Sequence, residues 1–268
     1  MTVKGNYGLT GNSGIISKLD DYDPDKITHR YVGSCVGTRA IMTPFSGRSG
    51  SIERWSESVG DISDETFLLI WDNSNSAEFH SLLLAAVSEK TDRFCIVTDL
   101  NPSVIHESWQ VRGQRCSAIY DAAFKLLSNL LTVEHIIVIE DDIKATASTV
   151  SRLEQVFGKS GVDCIVGDVK RREGSRESMI YRMPFTTQPD GQVTVEMQPM
   201  PTRQSGVELI GGAHMGLWIS KADCVNRLWQ HRVAANIIGA DLHWGVALRM
   251  NGRSMAVDWS AKAEHIEA

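Results

Sequence analysis

The chain has 268 residues, 42% of them hydrophobic and 22% charged, with a net charge of −6 from 27 basic and 33 acidic side chains. That length suits one large α/β domain or two small ones, and the composition is ordinary for a soluble globular protein. The acidic balance gives no support to nonspecific nucleic-acid binding, although a local basic patch remains open.

Five scattered cysteines, Cys35, Cys95, Cys116, Cys164 and Cys224, form no CxxC pair, so neither a disulfide framework nor a zinc knuckle is expected. A reducing, cytoplasmic location fits them. Residues 1–28 lack the apolar core of a signal peptide, and no apolar run is long enough to span a bilayer.

The segment 1–28 carries Gly5, Gly8, Gly11 and Gly14 and then Asp20, Asp21, Asp23 and Asp25, and reads as an arm or extension. Residues 29–268 read as one domain, with a nucleotide-binding half at 29–145 and an acceptor and metal-closing half at 146–268. Tyr31 to Val36 is expected as the first strand and 48–59 as a helix. FLLIWD (67–72) is a buried strand ending in the polar loop 72–76. A helix over 77–89 and the strand FCIVTD (94–99) follow. Over 117–131, Ile119, Ala122, Ala123, Leu126, Leu127 and Leu130 fall on one helical face. IIVIEDD is the next strand, then a helix near 148–157 and the strand DCIVGDV.

Apolar strands alternating with helices predict a Rossmann-type, mainly parallel sheet flanked by helices. Beyond residue 168 the pattern changes. MIYRMPF and QVTVEM flank Pro189-Asp190-Gly191 and predict a small antiparallel hairpin. Helices are expected near 221–231 and over 239–252, the latter stopped by Asn251-Gly252, and SMAVDW is the last strand.

Ligands bind such sheets at the carboxyl ends of the strands. Glu140, Asp141 and Asp142 stand at one of these ends, directly after Ile136–Ile139. Three adjacent carboxylates repel and raise one another's pKa unless a positive charge lies among them. A solvated turn capping a helix and a divalent-cation site are the two readings.

Several stretches together resemble the GT-A nucleotide-sugar glycosyltransferases. They are CVGTR (35–39), LLIWDNSNS (68–76), GQRCSAIYDAAFKLL (113–127), VIEDD (138–142), GGAHMGLWIS (211–220), GADLHWG (239–245) and VDWSAKAEHI (257–266). Each is weak alone; their order and spacing span residues 31–266.

The resemblance implies a GT-A-like fold and an inverting, metal-dependent transfer of sugar from a nucleotide sugar, a UDP-sugar by default. The acceptor hydroxyl is open among glycan, lipid, protein and a hydroxymethylated DNA base. Hard oxygen ligands suit Mn2+ or Mg2+. The resemblance makes Asp142 the direct metal ligand and His265 a second one, with Glu140 and Asp141 completing the acidic triplet on the donor side. Glu140 departs from the aspartate usual in its place.

By the same resemblance Asp72 would read the nucleobase, Thr38 and Arg39 would line the nucleotide pocket, and Arg115 would stand near the diphosphate. Gly211 and Gly212 would admit close approach of donor to backbone, and Asp241 would be the general base. Ala240 stands where a second acid is frequent.

Each residue also has a plainer reading. Asp72 suits an Asx turn, Asp241 a helix cap, Arg115 an ion pair, His265 a surface position near a chain end, and Trp218, Trp244 and Trp259 the core. Lys170, Arg171, Arg172 and Arg176 form either a solvated loop or a contact for a polyanionic acceptor. Two other functions stay open. One is a sugar nucleotidyltransferase, which calls for a glycine-rich basic loop after the first strand. The other is a non-catalytic nucleotide-sugar-binding protein of the same fold.

Overall fold

A computed structural model describes residues 2–5, 24–32, 37–101, 109–170, 179–187, 193–214, 216–228 and 240–266. The first half contains strands β1 (Thr2–Gly5), β2 (Ile27–Val32), β3 (Arg39–Phe45), β4 (Thr66–Asp72), β5 (Phe94–Asp99), β6 (His135–Ile139) and β7 (Ile143–Lys144). Helices α1 (Ser51–Val59), α2 (Ala77–Lys90) and α3 (Trp109–Leu130) lie between them.

The second half contains α4 (Ala147–Ser160), α5 (Ala222–Leu228) and α6 (Ala240–Met250). Its strands are β8 (Cys164–Lys170), β9 (Ile180–Arg182), β10 (Phe185–Thr187), β11 (Val193–Glu196), β12 (Gln198–Pro199), β13 (Val207–Leu209), β14 (Gly212–Ala213), β15 (Leu217–Lys221) and β16 (Met255–His265).

One large sheet runs β13-β16-β8-β15-β6-β3-β4-β5-β2, with β7 paired to β16. Its central block β6-β3-β4-β5 is parallel, as is β16 on β8. β15 runs antiparallel between β6 and β8, and the edges β2 and β13 are antiparallel. The molecule is thus an α/β fold with a parallel centre flanked by helices.

Two smaller antiparallel sheets, β1-β11-β10 and β12-β9-β14, sit beside it. The predicted hairpin is β10 and β11, in register at Phe185 with Val195. β1 adds to its other side, so Thr2–Gly5 pairs with β11.

Strand alternation divides the core. Phe67, Leu69 and Trp71 of β4 pack with Ala123, Phe124 and Leu127 of α3 and with Trp244 and Leu248 of α6. Leu68 and Ile70 point the other way, toward Trp55 of α1, Leu83 and Val87 of α2, and Val150 and Leu153 of α4. Every residue of β4 is buried, as a strand covered on both faces requires. Each large aliphatic buried there stabilises the fold by about 1.5–3 kcal/mol. Trp218, Trp244 and Trp259 are core residues, the first two tilted against each other. No helix among the described residues is long and apolar enough to cross a membrane.

The clearest departure from the sequence reading is β3. The expected first strand, 31–36, is represented by β2, which ends at Val32; residues 33–36 lie outside the described residues. The strand that enters the parallel centre is Arg39–Phe45. Pro44 conceals it, since proline argues against a central strand. The register resolves the conflict. β3 pairs with β4 along its whole length but with β6 only from Arg39 to Met42, so Pro44 lies beyond the end of the β6 pairing. The last strand is also longer than SMAVDW. β16 shifts register against β8 between Asp258 and Lys262, then continues to His265.

Gly211 and Gly212 meet α6 at Gly245. A Cβ on Gly245 would lie 2.3 Å from the Gly211 carbonyl oxygen and 2.8 Å from Gly212 Cα, all backbone and unable to yield. Gly245→Ala is therefore expected to destabilise the fold by about 1–3 kcal/mol, read by urea unfolding. An unchanged midpoint would show that α6 is free to shift.

Candidate metal and nucleotide site

The acidic turn closes β6 and is pinned from four directions. The Glu140 amide donates to the Gly216 carbonyl at 2.9 Å, and the Ile143 amide to the Glu140 carbonyl at 3.2 Å. The Ile266 amide donates to the Asp142 carbonyl at 2.7 Å. Arg54 of α1 reaches the Asp141 carbonyl at 3.4 Å. Such a turn holds its carboxylates in place without help from a ligand.

Each carboxylate has its own partners. Asp141 Oδ2 accepts from the Ser46 amide and hydroxyl, both at 2.8 Å. Asp142 Oδ2 is paired with the Arg48 guanidinium and with His265 Nε2 at 3.2 Å. Arg48 also stands 3.7 Å from Asp141 Oδ1. Glu140 Oε1 accepts from the Tyr120 hydroxyl of α3 at 2.6 Å. Among the described residues, Asp142 Oδ1 and His265 Nδ1 are buried atoms with no hydrogen-bond partner.

These surroundings separate the three acids. Burial and the charge of Asp142 push the Glu140 carboxyl up to about 8, against the pull of Tyr120. Burial and Asp142 also raise Asp141, although Arg48 and Ser46 oppose them. Burial would raise Asp142 too, but the hydrogen bond from His265 and the charge of Arg48 outweigh it, and its carboxyl is lowered. The bond to Asp142 raises His265 in turn, despite burial. At neutral pH the geometry favours a charged Asp142 beside a protonated neighbour at Glu140.

A second acidic position faces the same space. Asp241, in the first turn of α6, accepts from the Leu242 amide at 3.0 Å and contacts His214 Nδ1 at 2.7 Å. Burial raises this carboxyl, yet the charge and hydrogen bond of His214 bring it below its ordinary value. Its charge acts on Glu140, and the Cys116 thiol, raised by burial, feels Glu140, Asp142 and Asp241 together. Arg115, beside Cys116 on α3, is buried.

The structure thus gathers Glu140, Asp141, Asp142, His265 and Asp241, with Arg115 on the adjoining helix. It does not gather Thr38 and Arg39. They lie at the amino end of β3, at the opposite end of the strands from the acids. The Thr38 hydroxyl bonds Glu65 at 3.0 Å; Arg39 pairs with Glu154 and donates to the Thr66 hydroxyl at 2.7 Å. Placing them in the nucleotide pocket is corrected by the position of β3, whose carboxyl end is Phe45.

Asp72 does lie at a strand's carboxyl end, but its oxygens serve its own loop: Oδ1 accepts from the Ser74 amide at 3.0 Å, and Oδ2 contacts His80 at 2.9 Å. That is the Asx-turn reading. Gly211 and Gly212 are filled in from the protein side. A Cβ there would strike the Met183 amide nitrogen at 2.3 Å and its sulfur at 2.4 Å, so packing accounts for the absence of side chains. His265 belongs to a strand and not to a loose tail. Arg171, Arg172, Arg176, Cys35 and Gly239 lie outside the described residues.

Sequence reasoning missed Ser46, Arg48, Tyr120 and His214. The signal for the first two was the run SGRSG, which follows β3 directly once that strand is recognised. Tyr120 falls one helical turn after Cys116, on the buried side of α3.

No family model matches the chain, and no curated protein matches it. Among solved structures, GalNAc-T7, crystallised with UDP, GalNAc and Mn2+, superposes with a TM-score of 0.57 at 9% identity. The match covers 87% of this chain and 43% of that one, so this chain spans less than half the length of that neighbour. This protein has a GT-A-like fold. A197 from STIV overlaps at a TM-score of 0.47 with 11% identity, over 86% of each chain.

Among the described residues no group of three or more His, Cys, Asp or Glu is arranged to hold a metal ion. Asp142 and His265 nonetheless stand in contact through Oδ2 and Nε2, and the buried, unpartnered Asp142 Oδ1 is an orphaned lone-pair site of the kind a cation satisfies. Magnesium and manganese sites of few protein ligands, completed by phosphate oxygens and water, accommodate such a pair.

The placement of Arg39 yields a test. Burial would raise Glu154, but the hydrogen bonds from His135 and Arg39 prevail and lower it. Its contribution is therefore full above the ordinary value of 4.5 and lost as pH falls through the lowered folded value. Arg39→Ala should cost about 1 kcal/mol at pH 7, less once the pH falls through the lowered folded value of Glu154, and leave nucleotide binding unchanged. Thermal melts and a UDP titration of this variant check it; lost UDP affinity with unchanged stability would restore Arg39 to the pocket.

Proposed function

We propose that this protein is a glycosyltransferase that moves a sugar from a nucleotide sugar, a UDP-sugar being the donor of choice, to an acceptor hydroxyl with inversion. The observation that carries this reading is the buried, unpartnered Asp142 Oδ1 beside His265, at the carboxyl end of a parallel strand in a GT-A-like fold.

When bound, Mn2+ or Mg2+ would supply charge neutralisation for the departing diphosphate. Asp142 and His265 would hold the cation. Glu140, protonated beside Tyr120, would offer a hydrogen bond to the donor's ribose or to a water on the cation. Asp141 is committed to Ser46 and so shapes the loop after β3 that would face the nucleotide. Arg115 and Asp72 would border the same space, on α3 and at the end of β4. The Asp241–His214 pair would take the acceptor proton. Direct displacement needs one such base and no covalent intermediate. Cys95, Cys116, Cys164 and Cys224 form no disulfide among the described residues, which suits activity in the reducing cytoplasm.

UDP binding measured by calorimetry with and without Mn2+ is the test. Metal-dependent binding weakened at least about tenfold in Asp142→Ala is the expected result. Binding that ignores both metal and substitution would reduce the acidic turn to a structural cap. With a panel of UDP-sugars, turnover should fall in both Asp241→Asn and His214→Gln while donor binding holds. Loss of donor binding in either would move the pair to the donor side.

One observation favours a second reading. Ser46-Gly47-Arg48-Ser49-Gly50 stands directly after β3, the place of the glycine-rich basic loop of a sugar nucleotidyltransferase. Pyrophosphate release from a nucleoside triphosphate and a sugar phosphate would establish that activity in place of sugar transfer.

A further inference from the structure

Arg48 stands where a cation would stand. Its guanidinium sits on Asp142 Oδ2 and 3.7 Å from Asp141 Oδ1. Its backbone is fixed from both sides. Ser46 is tied to Asp141, and the Ser51 amide and hydroxyl donate to the Arg48 carbonyl at 3.2 Å and 2.7 Å. Gly47 (φ 83°) and Gly50 (φ 66°) take left-handed conformations around it, and a Cβ on Gly47 would lie 2.8 Å from Ser74 Cβ. The loop is thus anchored, while the side chain, 22% exposed, is the part of Arg48 that reaches solvent.

A divalent cation on Asp142 Oδ1 would stand within a few ångströms of the guanidinium on Oδ2 of the same carboxylate, and like charges so close repel. A metal arriving alone would meet Asp142 half-occupied: Oδ1 open, Oδ2 held by Arg48. Displaced from Asp142, the Arg48 charge would lose its nearest partner and keep only the longer contact with Asp141 unless an anion came with the metal. A nucleoside diphosphate is such an anion, and it would bind at this end of the sheet. Guanidinium groups suit phosphate oxygens especially well.

We propose that Arg48 makes divalent-cation binding conditional on a nucleoside diphosphate, by holding Asp142 until the diphosphate draws its guanidinium away. This inference rests on the reading of Asp142 and His265 as metal ligands. Coupling of this kind is reciprocal: the diphosphate raises the affinity for metal by the factor by which metal raises the affinity for diphosphate.

Mn2+ binding to the full chain, followed by electron paramagnetic resonance with and without UDP and corrected for Mn2+–UDP formed in solution, tests it. The native chain should bind Mn2+ at least about tenfold more weakly alone than with UDP. Arg48→Gln, which keeps a planar polar end but is shorter and uncharged, should bind Mn2+ alone at least about tenfold more tightly than the native chain and lose most of the coupling. Arg48→Lys, which keeps the charge, should retain the weak binding of metal alone and confirms that the loop tolerates substitution.

Equal affinity of Arg48→Gln and the native chain for Mn2+ alone, with UDP still strengthening metal binding to the native chain, overturns the role of Arg48 and leaves the metal site standing. Absence of Mn2+ binding to all three chains, with UDP present, overturns the metal site and this inference with it. Weak binding of metal alone in Arg48→Lys and tight binding in Arg48→Gln support it.

Discussion

Asp142 is a buried carboxylate with a lowered pKa, and a charge in such a place persists only if the protein supplies positive partners. It has two. Arg48 comes from the loop after β3 and His265 from the far end of β16, separated in sequence by more than two hundred positions. Losing one partner of a buried ion pair typically costs about 3–5 kcal/mol. The condition that both reach one oxygen therefore constrains three chain segments at once: the length of β3, the turn after β6 and the extension of β16. The large sheet satisfies all three. β6 pairs with β3, β7 pairs with β16, and these pairings bring Arg48 and His265 to the acidic turn.

Charge is also distributed unevenly among the three acids, and that inequality has chemical content. Glu140 is raised and bonded to Tyr120, Asp141 is held by the Ser46 amide and hydroxyl, and Asp142 alone combines a lowered pKa with an unsatisfied oxygen. In the proposed function these differences give three adjacent residues three separate tasks: a hydrogen-bonding group, an anchor for the neighbouring loop and a place for a cation. Across the space, the Asp241–His214 pair is held by α6 and by the chain after β14. The packing of Gly245 against Gly211 and Gly212 sets how near those two segments come.

Most of the architecture could be read from the sequence, because buried parallel strands and amphipathic helices have strong periodic signatures. β4, β5, β6, β8, α2 and α3 all fell near their expected places. The failure at β3 had a local cause: Pro44 is a strand breaker in isolation, and only the register against β6 shows that its missing amide is not needed there. That single omission displaced the pocket. With 31–36 taken as the first strand, Thr38 and Arg39 stood at its carboxyl end, whereas in the structure they stand at the amino end of the next strand, far from the acids. Arg48 was overlooked for the same reason. The acidic turn was legible, since three acids after four buried aliphatics is a local pattern. Its partners were not, since an ion pair between residues 48 and 142 leaves no mark on the sequence near either. Asp72 was placed correctly in the fold, but its side chain turned inward to His80 and Ser74, a choice decided by side-chain geometry.

β16 changes how the proposed second metal ligand should be viewed. His265 is held in register with Ile143, and the preceding Glu264 still pairs with both β7 and β8. The next residue, Ile266, donates its amide to the Asp142 carbonyl. A ligand carried on a loose tail would lose backbone freedom when it closed over a cation, at roughly 1–2 kcal/mol for each residue immobilised. On a strand, that ordering is already part of folding. The imidazole waits in place, and the binding energy of an arriving ion need not be diverted to organising the chain that receives it.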